Sequence, residues 1–261
     1  LMIGTALLAG FLAGFFGIGG GIITVPMLYY IFQTLNIDNN FVMHLAIGTS
    51  FSIIVPTAVM SVFTHYKHGA VDFSVLRSYG LFVVIGVIVG TVISANLHTK
   101  SLVLFFSIVL YFLAFNIFFI KEKTDIKKRF TLIPKIILGF ISGFVSSLMG
   151  IGGAIINVPV LKHSGFSINK AIGSAAAIGF LIALCGALGF FISGTYLNVN
   201  LPLSVGFINI PAFLIIVPIT TFMAKIGATT MHKIDKSKVS KLFGIFLLIV
   251  ATKFLYNYLN F

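Results

Sequence analysis

The sequence predicts an all-α integral membrane protein built from two inverted-topology repeats, each a broken or re-entrant helix pair followed by three transmembrane helices. Three observations carry this expectation. The composition is too apolar for water, one motif recurs in the same order in both halves, and the basic residues gather on one face only if the halves are inverted.

Of 261 residues, 59% are hydrophobic and 8% are charged, with a mean hydropathy of +1.14. A soluble domain carries about a quarter charged residues. So apolar a chain must face lipid or other helices along nearly its whole length, which excludes a soluble enzyme with a single anchor. The net charge of +12 sits in short stretches between apolar runs, as membrane topology demands, and no basic helix or interleaved aromatic motif suggests nucleic acid. Cys185 stands alone in an apolar run and is read as a packing residue. The first apolar run has no basic leader or cleavage pattern and is read as part of the mature fold.

Apolar runs fall near residues 1–35, 43–64, 77–97, 101–120, 135–161, 169–193, 202–226 and 239–259. The first and fifth are too long for a simple span, and glycines break each in its middle. The one extended polar stretch, KEKTDIKKRF, divides the chain. The expected organisation is a first membrane repeat over 1–120, a basic cytoplasmic linker over 121–134 and a second repeat over 135–261.

The halves repeat each other. GIGGGIITVPML, from Gly17 to Leu28, aligns with GIGGAIINVPVL, from Gly150 to Leu161, and nine of the twelve positions are identical. AIGTS at Ala46–Ser50 then matches AIGSA at Ala171–Ala175, Gly90 pairs with Gly227, and LFFSIVL at Leu104 resembles KLFGIFL at Lys241. Such collinear order indicates duplication. If all eight runs crossed the membrane once, lysine and arginine would divide almost evenly. If the first and fifth runs enter and return on one side, 15 of the 17 basic residues share a face, leaving Lys100 and Lys253 elsewhere. The positive-inside rule prefers that arrangement, in which the second half is inverted relative to the first. Inverted repeats with paired broken helices are a recurring transporter plan, with the substrate near the midplane.

The breaks themselves suggest the chemistry. Gly19, Gly20 and Gly21 in the first, and Gly152 and Gly153 in the second, each precede a new helix. The free N–H groups and dipole of such a helix favour an anion. Thr24 and Asn157 occupy equivalent positions just beyond the breaks, and Thr49, Ser50 and Ser174 are expected to line the same cavity. Glycine pairs such as Gly10 with Gly14, Gly86 with Gly90 and Gly139 with Gly143 are read as helix-packing contacts instead. A nucleotide-binding reading of GIGGG fails, since no strand precedes it and no phosphate-loop lysine follows. All five acidic residues, Asp38, Asp72, Glu122, Asp125 and Asp235, fall in loops or at segment ends. A mid-membrane carboxylate, which costs roughly 2.5–3.5 kcal/mol to insert, is the usual mark of a cation site. Its absence from the sequence favours a neutral-polar site. His44, just before AIGTS, is the best-placed histidine for a proton relay. No catalytic order of side chains, metal motif or cofactor motif is present, so no enzyme activity, metal or cofactor is expected.

On GIGGG…P followed by AIGTS, and GIGGA…P followed by AIGSA, the chain resembles the TauE/SafE sulfite exporter family, also called the 4-toluene sulfonate uptake permease family. The resemblance spans the duplication and the basic central stretch. It implies a multi-pass protein of a prokaryotic cell membrane that moves small sulfur-containing anions such as sulfite or organosulfonates, with an anion site near Gly19, Gly20, Gly21 and Thr24 and its mate near Gly152, Gly153 and Asn157. One departure stands out: position 154 is alanine where the first repeat has Gly21. The expectation is an alternating-access exporter whose partners are a small anion and the bilayer, with self-association into a homo-oligomer left open. An anion channel of the same architecture and a non-transporting scaffold are the competing readings.

Overall fold

The structure, a computed structural model, describes residues 2–17, 19–119, 131–231 and 236–260. Most of the expected linker, and with it Glu122 and Asp125, lies outside those residues, as do His232 and Asp235. The described chain is almost entirely helical: α1 (Met2–Phe16), α2 (Gly21–Thr34), α3 (Val42–Lys67), α4 (Phe73–Asn96), α5 (Thr99–Phe119), α6 (Leu132–Met149), α7 (Ala154–His163), α8 (Ile168–Tyr196), α9 (Ile210–Met231) and α10 (Lys236–Leu259). Seven of these, α3 to α6 and α8 to α10, are long and apolar enough to cross a membrane. Large apolar side chains such as Leu81, Val92, Phe112, Phe119 and Leu214 are exposed on their outer faces, where lipid would cover them.

The two long apolar runs are each divided at the glycines. At 1.5 Å per residue, the 15-residue α1, 14-residue α2 and 10-residue α7 fall short of a hydrocarbon core of about 30 Å. Gly20 (φ +83°) and Gly153 (φ +68°) are the N-caps of α2 and α7. Both lie in the left-handed region, which a residue with a Cβ enters only at a cost of roughly 1–2 kcal/mol. After each break the chain turns back along the helix it has just left. Gly20 lies against Ala9 and Ala13, and Met27 then meets Thr5. In the second half Gly153 lies against Ser146, and Asn157 meets Ser142. Thus α1 with α2, and α6 with α7, run antiparallel.

One expected span starts late. The run near 202–226 opens with a small hairpin, β1 (Ser204–Val205) paired antiparallel with β2 (Ile208–Asn209), before α9 begins at Ile210. Turn chemistry overrides hydropathy there. Leu203 and Gly206 adopt positive φ, and the Asn209 side chain accepts from Ala212 N–H at 3.1 Å while donating to Ser204 Oγ and Pro202 O. The hairpin buries Phe207 completely.

Helices exchange partners between halves. α1 packs most extensively on α9, and its counterpart α6 on α4. In both seams backbone meets backbone. A Cβ on Gly14 would overlap the Ala224 carbonyl, and one on Gly143 the Val83 carbonyl. α3 and α8 face each other at the centre, while α5 and α10 pair at the side, where Ser107 Oγ donates to Ala251 O at 2.8 Å.

Asp72 caps α4, accepting from Ser74 N–H at 2.9 Å and from the Ser74 hydroxyl at 2.6 Å. The hydroxyl contact holds its carboxyl below the usual range. The cap's contribution is therefore complete above the ordinary carboxylate pKa and lost as pH falls through the lowered folded value. Asp72→Ala is expected to cost about 1 kcal/mol, read as a lower thermal midpoint at neutral pH. The difference from the parent should close in acid.

Candidate functional site

The two breaks meet inside the protein. The first turn of α2 rests on the Gly150–Ile151 segment so closely that a Cβ on Gly21 would overlap the Gly150 carbonyl. Ser50 Oγ, from α3, donates to that same carbonyl at 2.9 Å. Gly17, at the first break, lies against Ile172 and Ala176 of α8, as Gly150 lies against Ile47 of α3. The contact also explains the departure at position 154. A Cβ at 21 would meet a carbonyl, so glycine is required there, whereas Ala154 is accommodated fully buried.

The expected side chains divide into two groups. Thr24, Asn157 and Ser50 are buried at the breaks. Gly19 lies against Ile54 of α3, while the Gly152 carbonyl abuts Gly179 of α8. Thr49 and Ser174 are different. The Thr49 hydroxyl accepts from Asn209 N–H at 2.9 Å and the Ser174 hydroxyl from Asp72 N–H at 2.9 Å. They tie α3 and α8 to the residues that cap the starts of α9 and α4. These hydroxyls are latches between helices.

His44 also has a structural post. Its Nε2 donates towards Leu97 O at 2.9 Å and Ser94 O at 3.1 Å, where α4 runs out of backbone partners, and its ring stacks on Phe207 at 5.2 Å. Those partners belong to a helix end, not to either break.

Around the second break stand three polar side chains that the sequence reading did not single out. Tyr79 Oη and Ser142 Oγ both donate to Asn157 Oδ1 at 2.8 Å, and Ser146 Oγ faces Gly153. Tyr79, Ser142, Ser146 and Asn157 are all buried. A signal was present, for Ser142 and Ser146 are spaced by one helical turn within an apolar run, on one face of α6. A cavity of about 640 Å³ lies elsewhere, polar at Asn39, Asn40, His98 and Lys100, apolar at Phe105 and Ile108, and near the break only through Leu148.

Two glycine breaks meeting in an apolar bundle invite comparison with membrane proteins of known family. The family model described as "Sulfite exporter TauE/SafE" matches residues 2–254. The chain belongs to that family. A Haemophilus influenzae "Probable membrane transporter protein" is 35% identical over 245 residues, covering 94% of this chain and 93% of its own. A relative with the same description from Methanocaldococcus jannaschii is 26% identical over 261 residues, with 95% of each chain covered. Another from Bacillus subtilis is 23% identical over 277 residues, covering 98% of this chain and 97% of its own. No solved structure matches the chain. The TauE/SafE family is one of membrane transporters, not enzymes, and its matched region takes in both breaks.

Proposed function

We propose that this TauE/SafE protein is a secondary transporter that exports small sulfur-containing anions such as sulfite or organosulfonates by alternating access, binding the anion at the abutting glycine breaks. The observation that carries the reading is the meeting of the two glycine breaks in a buried interior that holds no carboxylate among the described residues. The helix starts at such breaks offer N–H groups and the positive end of a dipole without a formal charge that would trap the ligand. Irregular backbone at membrane depth is tolerated where protein or a watery cavity satisfies it.

The exchange of helices between halves supports inverted repeats, and it also bears on what moves. Rocking of one repeat against the other would tear the α1–α9 and α4–α6 seams, where backbones touch. The proposed moving units are instead exchanged bundles: α1, α2, α3 and α9 in one, and α6, α7, α8 and α4 in the other. The Thr49 and Ser174 latches lie within these units, as does the 2.9 Å Thr57–Thr220 hydrogen bond between α3 and α9. Between the units run the breaks and the α3–α8 contact, where side chains such as Phe51 and Phe190 meet.

Proteoliposome flux tests the reading, with sulfite, sulfate, thiosulfate, sulfoacetate and taurine as the panel. The expected result is saturable flux of at least one anion, accelerated by the same anion on the far side. Gly153→Val should abolish it, because a side chain there is strained by φ and directed at Ile182, Ser146 and Asn157. Flux without saturation or counterflow would indicate a channel, and no flux from any of the panel would sink the substrate class.

A further inference from the structure

We infer that the anion is held on one side only, by a polar cradle at the start of α7, and that the start of α2 is an apolar backstop. This rests on the transporter reading above and narrows it to one of the two breaks. Two buried donors point to a ligand at α7. Asn157 Nδ2 and Ser146 Oγ are fully buried and have no hydrogen-bond partner. Leaving such groups unsatisfied costs on the order of 1–3 kcal/mol each, so a structure that keeps them has a use for them. Both converge on the same space. A Cβ built on Gly153 would stand 2.8 Å from Ser146 Oγ and 3.1 Å from Asn157 Nδ2. The orientation of the amide is set from behind, since Tyr79 and Ser142 both donate to Oδ1 and the NH₂ group must face the other way. The N–H groups of Ala154 and Ile155, which open α7 ahead of its own ladder, complete a set in which every group can donate.

The first break lacks every one of these side chains. Ala9 and Ala13 lie against Gly20 where Ser142 and Ser146 flank the second break. Thr24 replaces Asn157, and its hydroxyl is already committed to Gly20 O at 2.8 Å. Tyr79 has Ile216 as its counterpart, each lying eleven residues before the paired glycines Gly90 and Gly227. Four polar residues around one break thus correspond to three apolar residues and a self-satisfied threonine around the other. The terminal methyl of Ile182 stands 2.5 Å from the same Cβ position over Gly153, and its rotation would make room for an oxygen. A ligand of this cradle accepts hydrogen bonds from several donors at once, which describes a small oxyanion.

The test is anion affinity of the purified full-length protein, measured by titration calorimetry with sulfite, sulfate and thiosulfate, independently of flux. Ser146→Ala should weaken binding about 10- to 100-fold, as expected for one lost hydrogen bond to a charged ligand. Asn157→Asp keeps size and the bonds from Tyr79 and Ser142 but turns a donor into a negative charge, and should abolish binding while an unchanged chromatographic profile reports a folded protein. Thr24→Val should change affinity less than threefold. Equal losses from Thr24→Val and Ser146→Ala would overturn the one-sided cradle while leaving an anion transporter. Unimpaired binding by both Ser146→Ala and Asn157→Asp would overturn it too. Failure of the unsubstituted protein to bind any of the three would overturn the anion reading, and the cradle with it.

Discussion

Gly143→Val should leave almost no folded protein in a detergent extract, whereas Gly4→Val should behave as the parent. The substitutions are chemically identical, so the contrast isolates packing. A Cβ on Gly143 would overlap the Val83 carbonyl and stand 2.9 Å from Val87 N, whereas one on Gly4 meets nothing within 4 Å. Neither obstacle at Gly143 can step aside as a side chain would, because both are helix backbone. α4 would have to move away from α6 along a seam that also holds Gly86 against Phe140, Gly90 against Ser147 and Gly139 against Phe82. In lipid no hydrophobic effect draws separated helices together again, since association depends on close van der Waals contact and interhelical hydrogen bonds. Overpacking ordinarily costs about 1–3 kcal/mol, and a whole seam is opened here, so the loss should lie at or above the top of that range. Gly227→Val, which would overlap the Phe11 carbonyl in the α1–α9 seam, should match it. The measurement is the monodisperse fraction and thermal midpoint after extraction. A normal profile for Gly143→Val would mean that the seam is loose and the exchanged bundles are not rigid.

These seams and breaks were legible in the sequence because they depend on glycine at fixed places. GIGG, twice, announces a chain that leaves the helix, and Gly139 with Gly143 announces close approach. The hairpin at Ser204–Asn209 was not legible, since a run containing Val205, Phe207, Ile208 and Ile210 reads as continuous hydrophobicity, and only Pro202, Gly206 and Asn209 argue otherwise. Thr49 and Ser174 were recognised as matched hydroxyls near the breaks, but their targets are backbone N–H groups on Asn209 and Asp72. A motif cannot reveal a partner that the fold brings from another helix. Ser142 and Ser146 illustrate a subtler limit. Serine in a membrane helix is usually a small packing residue, so its polarity alone says little. It acquires meaning only when set against Ala9 and Ala13 in the other repeat, and when Asn157 is seen to arrive beside it.

Spin labels at three exposed positions should show that the moving bodies are not the two repeats. Leu7 on α1, Phe222 on α9 and Leu81 on α4 are 42%, 65% and 62% exposed, so labels there disturb little, and Cys185 can be replaced by alanine to give a silent background. Leu7 and Leu81 belong to the same repeat but to different exchanged bundles, whereas Leu7 and Phe222 belong to different repeats but the same bundle. The expected result on adding a transported anion is a Leu7–Phe222 distance that stays fixed and a Leu7–Leu81 distance that shifts. Motion of intact repeats requires the reverse. The physical ground is the unequal nature of the contacts. Glycine seams are rigid because backbone atoms meet backbone atoms, and shearing them forfeits packing along a whole helix. Away from the breaks, the α3–α8 boundary carries aromatic rings. Phe51 lies 6.0 Å from Phe190 between centroids, Phe190 lies 6.1 Å from Phe207, and a Cβ on Gly186 would meet the Phe51 ring. Side chains of that kind can change rotamer while the helices stay intact, as small sliding movements of packed helices require. The breaks lie across this same boundary, where Ser50 of one bundle bonds Gly150 of the other. An anion seated at α7, as proposed, would sit beside the surface proposed to slip, and could favour one arrangement only through contacts that differ between the two.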